Sequence, residues 1–184
     1  MRHPALLDRH QAALLVIDIQ ARVHAVMCFG AQVEGNAVKL IRGFQILRAP
    51  LYVTEQYPQG LGPTIPAVAE ALAGVQPLQK MSFSCCGNEA LMAGLKQGGI
   101  HQLVLCGIET HVCVSQTAHD LLAQGFQVHV ARDAVSSRRE SDHGNALERM
   151  RAAGAIITTT EAALFELMVR ADIAEFKSIS ALVK

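Results

Sequence analysis

The sequence predicts a three-layer α/β fold, a mostly parallel six-stranded sheet with helices on both faces. Three observations carry that reading. Short aliphatic runs recur along the chain, stretches of helical spacing separate them, and 184 residues that are 51% hydrophobic can bury a sizeable core.

Ala12 to Ile17 is six apolar residues with no polar face, which suits a strand buried on both sides. Val33, Ala37, Leu40, Ile41, Phe44 and Leu47 then step by 4, 3, 1, 3 and 3 and draw one stripe along a helix. Leu51 to Val53 reads as the second strand. The segment from Gln56 to Pro66, rich in Pro and Gly, reads as a loop bordering a pocket. A weaker third strand near Val75 to Leu78 runs into Lys80, and Leu103 to Cys106 is the fourth. Val114, Ala118, Leu121 and Leu122 give a helix that Gly125 stops. Phe126 to Ala131 is the fifth strand. Ser141 is the expected cap of a helix ending near Gly154, and Ala155 to Ile157 is the sixth strand. Thr158 with Glu161 fits a capping box before Ala162 to Met168. Strands alternating with helices imply right-handed crossovers and a Rossmann-like sheet. With no repeat and no convincing linker, residues 1–184 read as one domain.

Sixteen Lys and Arg balance sixteen Asp and Glu, so nothing draws the chain to nucleic acid or to an anionic membrane. The apolar runs are far shorter than the roughly 18 residues of a membrane span, and the first residues lack a secretory apolar stretch. Five cysteines without metal-type CxxC spacing fit a reducing, cytoplasmic compartment better than secretion. No cofactor is expected.

In such sheets ligands bind at the carboxyl ends of the strands. Asp18 ends the first strand, and a carboxylate there needs a partner. Lys80 lies among Leu78, Met81 and Phe83; alone it reads as a solvated lysine, beside Asp18 as the counter-charge. The fourth strand leads into Gly107-Ile108-Glu109-Thr110-His111-Val112-Cys113. With Thr110 as N-cap, Cys113 falls in the first helical turn, where unpaired N–H groups and the helix dipole favour thiolate. Cys28 and Cys106 read as small buried hydrophobes. An acid, an amine and a thiol on one rim support nucleophilic catalysis on a small-molecule substrate.

These residues resemble the isochorismatase-like cysteine hydrolases, most nearly the isochorismatase domain-containing subgroup. The similar segments are LLVIDIQ around Asp18, TEQYPQGLGPT from Thr54, KMSFSCCG from Lys80, GIETHVCVSQTAHDL from Gly107, VARDAVSSR from Val130 and TTTEAALFEL ending at Leu167. The resemblance implies a catalytic triad of Asp18, Lys80 and Cys113 that cleaves a carboxamide or related C–N bond through a thioester. It further implies a cis peptide between Ile108 and Glu109, an oxyanion hole from the N–H groups of Glu109 and Cys113, and a homo-oligomer. The metal motif of related nicotinamidases is missing, since no histidine follows His24 until His101. Nicotinamide is therefore a poor substrate candidate. Members that cleave isochorismate itself lack the cysteine, so Cys113 argues against that reaction too. An aromatic residue often follows the first-strand Asp-x-Gln in the family, where Gln20 here precedes Ala21, Arg22 and Val23.

Gln20, Tyr57, Phe83 and Thr110 are the substrate-binding candidates, with packing or capping as the plainer role of Tyr57, Phe83 and Thr110. His111, His119 and His129 lack carboxylates at ligand spacing, so no metal is expected. Gly60-Leu61-Gly62 lacks the third glycine of a dinucleotide loop. Two rivals to the hydrolase stand: a non-catalytic binding or scaffold protein, and a thiol redox sensor; the adjacent Cys85 and Cys86 read as plain thiols before they read as a redox pair.

Overall fold

The computed structural model describes residues 2–184. In chain order its elements are β1 (Ala12–Ile17), α1 (Ala21–His24), α2 (Gly30–Ile46), β2 (Leu51–Gln56), α3 (Pro58–Leu61), α4 (Pro66–Ala71) and β3 (Leu78–Lys80). They continue as α5 (Glu89–Gln97), β4 (Gln102–Ile108), α6 (Ser115–Ala123), β5 (Gln127–Ser136), α7 (Glu140–Ala152), β6 (Ile156–Thr158), α8 (Thr160–Met168) and α9 (Phe176–Val183). The six strands form one sheet in the order β3-β2-β1-β4-β5-β6, and every pairing is parallel. That doubly wound order reverses direction between β1 and β4, where such sheets open a crevice at their carboxyl edge.

Alternation along the strands feeds two cores. Leu14, Val16, Val104 and Cys106 point to one face, beneath α2, α4, α8 and α9, with Phe44 and Leu164 fully buried among them. Ala13, Leu15, Ile17, Leu103 and Leu105 point to the other, beneath α5, α6 and α7. All six residues of β1 are buried, as a central parallel strand requires. At Gly107 (φ 126°) a β-carbon would stand 2.0 Å from the Ile17 carbonyl oxygen. Only glycine lets β4 pass that close behind the end of β1.

Several local expectations shift. The cap of α8 is Thr159, whose hydroxyl accepts from the Ala162 N–H, and not Thr158, which ends β6. Helix α7 starts at Glu140 without a side-chain cap, so Ser141 lies inside it; Glu140 and Asp142 complement the dipole instead. Cys28 is exposed rather than buried, while Cys106 is fully buried as expected. Strand β3 begins at Leu78 and takes in Lys80 as its last residue. Among the described residues no helix is long and apolar enough to cross a membrane.

Candidate active site

Asp18 follows β1 with φ 51°, a left-handed conformation that Asp tolerates better than most side chains. Its carboxylate is 3% exposed and both oxygens are engaged. The Thr54 hydroxyl donates to Oδ1 at 2.8 Å and the Lys80 ammonium donates to Oδ2 at 2.6 Å. Lys80 comes from the end of β3, two strands from β1. It spends its other two protons on the carbonyls of Ser82 at 3.1 Å and Phe83 at 3.0 Å. The ammonium is thus fully partnered and not solvated. Burial works against its charge, but the attraction of the Asp18 carboxylate and its hydrogen bond work for it, and the Lys80 pKa is raised.

Cys113 is 5% exposed and shares a cavity wall with Asp18. It sits in a π-helical turn, Thr110–Val114, between β4 and α6. The peptide bond between Ile108 and Glu109 is cis. Among the described residues no backbone carbonyl outside the turn accepts from the N–H of Glu109 or Cys113. The thiol donates to Gln56 Oε1 at 3.5 Å. Its pKa is pushed well up, first by burial and then by the Asp18 charge, against the lowering influence of Lys80. The thiolate expected from a helix end is therefore disfavoured: burial of the sulfur, and after it the anion of Asp18, work against its ionisation.

Thr110 is not the N-cap. Its hydroxyl is buried and paired with His143 Nδ1 of α7 at 3.0 Å, and Glu109 precedes the turn without a capping bond. Burial and the nearby Arg132 lower the His143 pKa against the opposing influence of Glu140. On the rim, Glu109 Oε2 accepts from the Arg138 N–H at 3.0 Å and from Arg138 Nε at 3.1 Å. A register shift in the β4–β5 pairing lets Val135 and Ser136 rejoin beside Gly107 and Ile108, which delivers Ser137 and Arg138 to this edge.

The cavity these residues enclose has a volume of about 510 Å³, within the range of small-molecule sites. Asp18, Cys113, Tyr57 and Phe83 line it, together with Gln56, Glu109, Arg22, Arg138 and apolar side chains. Gln20 and Thr110 do not. Gln20 is fully buried and bridges loops, donating to the carbonyls of Gln56 and Gly62 and accepting from the Gln56 N–H. Lys80 stands behind Asp18, outside the lining. The sequence reading missed Thr54, Gln56, Arg22 and Arg138. Thr54 and Gln56 could have been found from their spacing, since residues two apart on β2 share a face near its carboxyl end.

The remaining thiols and imidazoles have other surroundings. Cys85 is buried, 3.6 Å from the Thr54 hydroxyl, and burial with the Asp18 charge pushes it up to about 11. Cys86 is half-buried, with its pKa raised by burial. His111 Nδ1 pairs with Ser137 Oγ at 2.9 Å, and His119 Nδ1 with the Ser115 carbonyl at 2.6 Å. Among the described residues no three His, Cys, Asp or Glu side chains gather as a metal group would require.

The strand order and the site define a doubly wound α/β protein with an ionisable cluster at its strand ends. Residues 12–162 match the family model of the isochorismatase domain. The chain belongs to this family of isochorismatase-like hydrolases. It is similar to isochorismatase domain-containing protein 2 of Danio rerio, with 40% identity over 178 residues that cover 96% of this chain and 89% of that one. Among solved structures, the MAR1 ribonuclease of Caenorhabditis elegans superposes with a TM-score of 0.92 at 38% identity, over 97% of this chain and 92% of that one. The YcaC gene product of Escherichia coli, described as an octameric hydrolase of unknown specificity, superposes with a TM-score of 0.90 at 25% identity, over 99% and 92% of the two chains.

Proposed function

We propose that the chain is a metal-independent cysteine hydrolase of a small carboxamide or related C–N bond, with residues 1–184 acting as one domain. The observation that carries this reading is the Asp18 carboxylate, clasped by Thr54 and Lys80, on the wall of the same cavity as the buried Cys113 thiol.

In the proposed cycle, Cys113 sulfur attacks the amide carbon while Asp18 takes the thiol proton. A thiol that keeps its proton at rest suits this order, because the base is already beside it and the anion forms only as the C–S bond does. Lys80 holds the Asp18 carboxylate in place as its counter-charge. The N–H groups of Glu109 and Cys113 receive the oxyanion. Asp18 then passes the proton to the departing nitrogen, leaving a thioester on Cys113. Water attacks that thioester with Asp18 again as base, the acid leaves, and the thiol is restored.

Five free thiols suit a reducing, cytoplasmic setting. The octameric description of the E. coli relative supports a homo-oligomer, and the balanced charge gives no support to a nucleic-acid partner. The test is a panel of small carboxamides, with single-stranded RNA included, offered to wild type and Cys113→Ala while intact mass is followed. The proposal expects amide turnover, an acyl adduct on Cys113 and neither in the variant. Turnover that survives in Cys113→Ala, or cleavage of RNA alone, would overturn it.

A further inference from the structure

The cavity carries four charged side chains on its walls and a fifth directly behind. Two pairs cancel: Asp18 with Lys80 at 2.6 Å, and Glu109 with Arg138 at 3.1 Å. Arg22 is the remaining one, and among the described residues no carboxylate stands within ion-pair distance of it. Its guanidinium is nevertheless held. Nη1 donates to the Gly60 carbonyl at 2.6 Å, at a position with room only for glycine, because a β-carbon there would meet the Tyr57 ring at 2.2 Å. Among the described residues Nε and Nη2 have no acceptor, so the fork keeps donors to offer. Arg22 is exposed while Cys113 is buried, which puts the cation at the mouth and the sulfur at the floor. Val23, Val26, Leu61, Phe83, Ile108 and Val112 supply the apolar wall between them.

We infer that the cavity selects a carboxamide carrying an anionic group, a carboxylate above all, at the end remote from the scissile bond, and that Arg22 is its specificity-determining residue. This inference rests on the hydrolase reading for the amide end of the ligand, and on the charge balance of the walls for the other. A planar guanidinium is the side chain best matched to a carboxylate. Exposure and salt limit its effect, so the expected preference is modest.

The test uses two electrophiles of nearly equal shape, N-iodoacetyl-β-alanine and its terminal amide, and reads the alkylation rate of Cys113 by peptide mass spectrometry, which needs no turnover. Wild type should react roughly fivefold faster with the anionic reagent. Arg22→Gln should lose that ratio, Arg22→Lys should keep part of it, and added salt should shrink it. An unchanged ratio in Arg22→Gln, or no preference in wild type, overturns the inference. Amide turnover without charge preference sinks only the role of Arg22. Charge preference without turnover of any amide sinks only the hydrolase reading. If neither reagent labels Cys113, both fall.

Discussion

Two buried ionisable sites in the same sheet are built in opposite ways. At the carboxyl ends of β1 and β3, Asp18 and Lys80 are almost completely buried, and their polar atoms are partnered by Thr54, by each other and by the carbonyls of Ser82 and Phe83. In mid-sheet, His129 lies between Val104 and Ile156 in the strand pairing, fully buried, with neither ring nitrogen hydrogen-bonded. Burial alone pushes its pKa down to about 4, so it packs as a neutral ring. Charge is kept in the interior only where partners surround it. Asp18 of that site lines the cavity, whereas the unpartnered imidazole packs as an uncharged ring outside the lining.

The largest test of this contrast is Cys113→Ala, which should abolish acyl-adduct formation and cut turnover by about 10⁴-fold or more, read by intact mass and a progress curve. Next, Lys80→Met leaves the Asp18 carboxylate buried without its cation. It should cost about 3–5 kcal/mol in denaturant unfolding and, on the proposed cycle, remove most activity, because Asp18 loses the counter-charge that holds it as the base. A His129→Leu variant probes the other region. The His129 pKa is lowered in the folded state, so the unfolded chain takes up the proton first as pH falls, and stability is lost between pH 6.5 and about 4. The leucine variant should escape that loss, gaining on wild type by about 2 kcal/mol from pH 7 to pH 5, measured by urea midpoints at both pH values. The smallest effect belongs to Thr54→Val, which frees Asp18 Oδ1 of one neutral donor; about 1 kcal/mol of stability and a severalfold drop in turnover are expected.

The partnered site was the more legible of the two regions in the sequence. An acid, an amine and a thiol each follow an apolar run, and a parallel sheet gathers its strand ends on one rim, so Asp18, Lys80 and Cys113 could be picked before any coordinates. What stayed hidden depends on contacts between distant segments. The Thr110 hydroxyl looked like a cap because the sequence around it is local, yet its partner His143 is 33 residues away on another helix. Cys113 looked ready to ionise from its helix end, but burial first, and then the charge of Asp18 at the end of β1, push its pKa up. Gln20 is polar at a strand end, as a ligand contact would be, and is consumed by backbone groups of the loop around Gly62. Thr54 and Gln56 are marked only by their spacing on one face of β2 and not by residue type, which is ordinary in a strand.

Asp18→Asn tests the proposed proton transfer most directly when two rates are followed in the same preparation, amide turnover and alkylation of Cys113 by iodoacetamide at pH 8. Losing the neighbouring anion while Lys80 stays cationic should lower the Cys113 pKa, so alkylation speeds up as turnover falls by about 10²–10⁴-fold. Rates that fall together, or turnover that survives, would contradict Asp18 as the group that receives the thiol proton.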